Sequence, residues 1–266
     1  MHNIHQEAKW FASKYKQSLL VTLLYVGLYM SLRDLLVEFL GIAGLIVVFV
    51  TLAIEHGKVK AGLDVIEQNS FVPQQEAAVG IKQHQKYFST YLWMNIIMVA
   101  FVFIALIGVF FLFRPYFLSL LLSIETEMQY GIDATLLQMY SMILLITKSC
   151  LMISEMIFNT FFFTAPYLNE VKGITGPKAI VEAVKLQKGH FIRIIKTFLP
   201  YYGFMICFTC IRFITGAYIN QLLLLSIIDI VITLLSILMY ESEYIVCKAL
   251  LYTRLVEENN HDYFKF

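Results

Sequence analysis

Six stretches of this chain are apolar for about as long as a helix must be to cross a bilayer, and that pattern leaves few folds open. A helix rises ~1.5 Å per residue, so the ~30 Å hydrocarbon core takes about 20 mostly apolar residues. The stretches lie near 17–32, 35–54, 91–113, 139–163, 197–217 and 221–240. Only Leu32, Arg33 and Asp34 separate the first two, which read as a tight helical hairpin. Composition agrees, because 59% of the 266 residues are hydrophobic and 15% charged, against roughly 25% charged in a soluble domain. The expected fold is all-α: a polytopic transmembrane helix bundle of about six spans, forming a single transmembrane domain over residues 1–266.

Charge placement sets the expected orientation. Lys and Arg in short loops resist translocation, so they gather on the cytoplasmic side. With six spans, all of the 20 basic residues except Arg33, Arg114, Arg212 and Lys148 fall on one side. The outer loop after the third span carries Glu125, Glu127 and Asp133 instead. Both termini are therefore expected in the cytoplasm and the chain in the cell membrane. The net charge of +1 gives no reason to expect nucleic acid as a partner. Cys150, Cys207, Cys210 and Cys247 all lie in or beside apolar runs, where a disulfide framework would not be placed, and the Cys207/Cys210 spacing reads as two small apolar residues in a helix.

Two cytoplasmic segments, about 55–90 and 169–196, are too polar to span yet keep helical character. In the second, Gly176 and Pro177 form a helix start, since proline at the first position loses no hydrogen bond. Ala179, Ile180, Ala183 and Val184 then recur at helical spacing, with Lys178, Glu182, Lys185 and Lys188 around the rest of the circumference. The first segment follows the same plan from Pro73 through Glu76, Ala77, Ala78, Val79 and Ile81 to Lys82, His84 and Lys86. Both are expected to be amphipathic interfacial helices, with Lys82, Lys86, Lys178, Lys185, Lys188, His190 and Arg193 facing anionic lipid headgroups or a docking partner. Internal duplication into halves 1–115 and 138–266 is one reading of the pattern; the other is that any cytoplasmic loop beside a bilayer acquires this composition.

The stretch Tyr167-Leu168-Asn169-Glu170, followed by Ala179 to Lys188, Gly189, His190, Phe191 and Arg193, resembles a family of uncharacterised bacterial six-span integral membrane proteins (domain of unknown function 975 type). The opening from Ile4 to Lys9, Tyr15-Lys16-Gln17, and the closing stretch from Tyr244 to Leu255 with Tyr252 and Arg254 are similar to the ends of that family. This chain departs from the family pattern at Phe198-Leu199-Pro200-Tyr201, where a tryptophan is missing, and in a longer outer loop from Tyr116 to Gln138. The resemblance implies a bundle related to the membrane domain fused to some glycerophosphodiester phosphodiesterases. It implies no activity.

Ionisable groups inside spans cost roughly 2.5–3.5 kcal/mol each on insertion scales, so each asks for a partner. Lys148 and Asp229 both fall near the midplane and are expected to pair, as a structural bridge or as a transport site. Glu38 and Arg212 form a candidate pair near the outer face. Glu155, Glu241 and Glu243 gather near the inner leaflet, where they line an inward cavity or neutralise Arg193 and Lys196; neutralisation is the preferred expectation. No HExxH, GxSxG or P-loop is present, and no catalytic residue, cofactor or metal is expected. The leading expectation is a non-enzymatic membrane component, an accessory or permease-like subunit acting with a protein partner or as a homo-oligomer in transport, export, immunity or envelope maintenance. A self-sufficient transporter working through Lys148 and Asp229, and an intramembrane lipid enzyme using Glu155 and Glu241, are the alternatives.

Overall fold

The computed structural model describes residues 2–40, 44–69, 72–112, 114–115, 118, 149–150, 152–218, 228 and 231–262. Among them helix is the only regular secondary structure. The helices are α1 (His2–Lys14), α2 (Lys16–Leu40), α3 (Gly44–Val50), α4 (His56–Ile66), α5 (Pro73–Lys82), α6 (His84–Leu112), α7 (152–162), α8 (Thr164–Lys172), α9 (Pro177–Gln187), α10 (Phe191–Tyr218) and α11 (Ser242–Asp262). Residues 231–236 lead into α11 through a π-helical turn, Ile237–Glu241.

One predicted boundary is wrong. No hairpin turn falls at Leu32-Arg33-Asp34, because α2 continues as one helix of 25 residues to Leu40. Charge alone does not stop a helix, and this tripeptide holds neither glycine nor proline. The glycines come later, at Gly41 and Gly44, and α3 begins at Gly44. The starts of α5 and α9 fall where proline placed them, with Pro73 and Pro177 in their first turns. Gly176 caps α9 at φ +64°, a left-handed conformation that suits glycine.

The largest correction concerns the two polar segments. They pack into the protein instead of spreading their apolar faces on a membrane surface. α4 is buried among α2, α5, α8 and α11, with Ala61, Leu63 and Val65 in the core. Its neighbours approach at backbone distance. A Cβ at Gly57 would stand 2.7 Å from the Glu76 carbonyl oxygen, and one at Gly80 of α5 would stand 1.9 Å from that of Ala53. The face of α9 that carries Ala179, Ile180 and Ala183 is likewise covered by α8, α6 and α11. What lies outward on α9 is Lys178, Lys185 and Lys188 together with Val181.

α1 buries Ile4, Ala8 and Ala12, one helical turn apart, along α11, and Glu7 pairs with Arg254 across that seam. At the other extreme stands α6. Two helices among the described residues are long and apolar enough to cross a bilayer: His84–Phe111, with mean hydropathy 2.7, and Phe191–Ile211, with 1.5. No residue in the most apolar stretch of α6 is fully buried by the protein, and Val99, Phe103, Ile104 and Phe111 are 64–69% exposed. Soluble monomers rarely leave apolar patches of that extent in water. The covering they lack is of the kind a bilayer supplies, and the two helices point to a membrane.

The order of elements repeats. α4, α5 and the long apolar α6 follow one another as α8, α9 and the long apolar α10 do, with a proline-started short helix in the middle of each set.

Candidate functional site

A cavity of about 400 Å³ opens beside the point where α4 meets the π-helical turn. Each wall brings its own chemistry. α2 contributes Leu23, Gly27, Met30 and Ser31, and the α3–α4 turn and α4 bring Glu55 and Lys58. α7 adds Glu155 and Asn159. The last wall is a stripe of Thr233, Ser236, Tyr240, Glu241, Tyr244 and Lys248, spaced three or four residues apart or adjacent, which keeps it on one helix face. A smaller pocket of about 100 Å³ shares Glu55, Lys58, Asn159 and Lys248 with the cavity and extends it toward Tyr91 and Tyr167.

The π-helical turn adds a residue within one turn and thereby re-aims the side chains after it, a device frequent at functional sites. Here the residue it ends on is Glu241, whose carboxylate accepts a 2.6 Å hydrogen bond from Lys58 Nζ. Burial opposes the charge on Lys58, but Glu241 and Glu55 outweigh it, so its pKa is raised and the ammonium persists. Lys248 goes the other way. Burial first, and the Lys58 ammonium with it, push its pKa down to about 8 against the pull of Glu55, Glu155 and Glu241. Lys248 Nζ sits 4.2 Å from the centre of the Tyr244 ring.

A second polar cluster lies behind this chamber and ties α4 and α6 to α8. One oxygen of Glu170 accepts hydrogen bonds from Tyr87 Oη at 2.6 Å and Lys86 Nζ at 3.0 Å, and lies 3.2 Å from His56 Nε2. His56 Nδ1 lies 3.2 Å from the Tyr91 hydroxyl, and the imidazole stacks on Tyr87 at 3.6 Å between ring centres. Burial, outweighing the attraction of Glu170, holds His56 below its usual pKa. A neutral ring that donates from Nε2 to Glu170 and accepts from Tyr91 at Nδ1 satisfies every atom. The hydrogen bond from His56, followed by those from Tyr87 and Lys86, keeps Glu170 well below the usual carboxylate range. Alongside, Lys60 pairs with Asp64 at 2.9 Å, while Glu76 has a buried oxygen without a hydrogen-bond partner. Burial and then the neighbouring Asp64 push the Glu76 pKa up to about 7.

The predicted site residues fare unevenly. Lys148 and Asp229 lie outside the described residues, as do the side chains of Glu38 and Arg212. Glu155 and Glu241 line the chamber, so the expectation that the inner carboxylates neutralise Arg193 and Lys196 is corrected. Arg193 instead makes a two-pronged pair with Glu258, at 2.6 and 2.8 Å, and His190 stands 3.7 Å from the same carboxylate. Glu243 accepts from the Tyr201 hydroxyl at 2.9 Å. Lys86 is drawn to Glu170, Lys185 pairs with Glu182 at 2.8 Å, and Lys82, Lys178 and Lys188 stay exposed.

Sequence reasoning missed Glu55, Lys58, Asn159 and Lys248. The polar stripe from Thr233 to Lys248 was a usable signal, but placing a span end at 240 cut it in two. Among the described residues no group of histidine, cysteine, aspartate and glutamate is arranged to hold a metal ion. Comparison with protein families, curated proteins and solved structures gives no match to this chain.

Proposed function

We propose that this chain is a non-enzymatic, multi-pass protein of a bacterial cell membrane, a permease-like component that holds a polar solute or headgroup in the charged chamber and acts with a protein partner. The reading includes about six spans, both termini in the cytoplasm, and the membership suggested by resemblance to the domain of unknown function 975 type. The observation that carries it is the chamber itself, three carboxylates and two ammonium groups around one cavity, in a molecule whose long helices are apolar on the outside. Ionisable groups gathered in one cleft with shifted pKa values mark a candidate functional site. The seam between α1 and α11 supports an even number of crossings, since helices joined by the Glu7–Arg254 pair lie on the same side. Exposed Lys82, Lys178 and Lys188 suit the anionic headgroups of the inner leaflet.

Cysteine labelling tests this in native membrane vesicles, in a background without the four native cysteines. Ser236→Cys reacts with a membrane-impermeant maleimide in inside-out vesicles, while Phe103→Cys on α6 stays protected on both sides. Labelling of Phe103→Cys as fast as that of Lys82→Cys would place α6 in water and end the proposal. A lipid-processing enzyme is the second reading, because Glu155 and Glu241 line one cavity; with Glu241 held by Lys58 in an ion pair, the binding reading stands first.

A further inference from the structure

Lys58 centres the chamber's internal ion pairs, with Glu241 at 2.6 Å and Glu55 held more loosely at 3.9 Å. Glu155 and Lys248 are left over. Among the described residues no carboxylate comes within 4.0 Å of Lys248 and no basic nitrogen within 4.0 Å of Glu155. The Tyr244 ring stabilises the Lys248 cation but accepts none of its N–H donors in the way an anion would.

Opposite charges that line one cavity without closing on each other are preorganised for a guest carrying both. The fold meets the cost of holding them apart before the guest arrives. Leu23, Met30 and Ile237 add an apolar wall to the same space. A cavity of about 400 Å³ lies within the usual range for small-molecule sites, roughly 300–1,000 Å³.

We infer that the chamber binds a primary-ammonium zwitterion, its anionic group on Lys248, its ammonium between Glu55 and Glu155, and an apolar stem against Leu23, Met30 and Ile237. The inference rests on the chamber being the binding site proposed above. Two sources supply this chemistry: a free α-amino acid with an apolar side chain, and the headgroup of an aminophospholipid.

The test uses the full chain in nanodiscs of phosphatidylglycerol alone, titrated calorimetrically. L-leucine and dihexanoylphosphatidylethanolamine are the zwitterionic probes, and isovalerate and isoamylamine each carry one of the two charges. At least one zwitterion binds roughly thirtyfold or more tightly than both single-charge analogues, the factor expected when one partner of a desolvated charge contact is missing. K248Q and E155Q each weaken that binding by a similar factor, and K248R restores most of it. Binding of leucine alone assigns the site to a free solute, and binding of the lipid alone to a headgroup. Zwitterions that bind no better than the analogues, or a folded K248Q that binds as well as the parent chain, would overturn the inference. Should K248Q not fold, the analogue series on the parent chain decides by itself. Labelling of Ser236→Cys needs no ligand, so a chamber that labels but takes up no zwitterion sinks only this ligand assignment.

Discussion

Replacing Glu170 by glutamine keeps the shape of the side chain and removes the charge on which α4, α6 and α8 converge. The carboxylate is 14% exposed and the His56 side chain fully buried, whereas the third partner, Lys86, is 41% exposed. His56 is neutral, so what it and Tyr87 lose is hydrogen bonds to a charged group, worth about 1.5–3 kcal/mol each and partly kept by the glutamine. Solvent screening leaves little of the Lys86 share, as for surface pairs generally. The expected loss is about 2–4 kcal/mol, a fall in Tm of about 4–8 °C at roughly 2 °C per kcal/mol for a chain of this size. The assay is thermal unfolding in detergent read by a thiol-reactive dye, in a background where Cys150, Cys207 and Cys210 are serine. That leaves Cys247, which is fully buried and whose thiol is pushed up to about 12 by burial, so it stays silent until the bundle opens. Lys86→Gln serves as the control and lowers Tm by about 2 °C or less. An E170Q protein that melts within about 1 °C of the parent would refute the idea that this carboxylate braces the three helices.

Further predictions follow from the same structure. Glu76 has a pKa raised to about 7, so its charged form is disfavoured in the folded chain, and the penalty grows as pH rises from the usual carboxylate range through 7. E76Q therefore raises Tm at pH 8 and leaves it nearly unchanged at pH 5, as melting curves at the two pH values will show. His56 has a lowered pKa and must stay neutral in the fold, so stability falls as pH drops below about 6.5. H56Q flattens that decline, measurable as a smaller Tm difference between pH 7 and pH 5. Gly80→Ala would drive its Cβ to 1.9 Å from the Ala53 oxygen, and fluorescence-detected gel filtration of a tagged chain should show loss of the monodisperse peak. Phe103→Asp places a charge on a bare face of α6 at about 2.5–3.5 kcal/mol on insertion scales, and reduced membrane insertion of the variant is the readout.

Much of the fold was legible because its signals are local. Pro73 and Pro177 marked two helix starts, and hydropathy marked α6 and α10 to within a few residues at their far ends. The false hairpin at Arg33 and Asp34 shows the limit of reading charge as a break: a helix interior accepts charge far more readily than it accepts proline. The amphipathic pattern of α9 was read correctly as a pattern, but periodicity cannot say whether a lipid surface or another helix covers the apolar face. The chamber was harder still. Glu55 and Lys58 sit where hydropathy has already fallen, and Glu155, Glu241 and Lys248 come from helices far along the chain. Only the tertiary packing of α4 brings them together, and the small residues that permit it, Gly57 and Gly80, look ordinary in the sequence.

The seam between α1 and α11 also bears on how the molecule is made. Its two sides, marked by Glu7 and Arg254, are 247 residues apart in the chain. During translation α1 emerges long before its mate, so the edge carrying Ile4, Ala8 and Ala12 has no α11 to pack on until the chain has grown past Arg254. Such long-range closure comes late and slowly in assembly. Quality control that senses an undocked α1 would thereby reject chains whose synthesis stopped before α11.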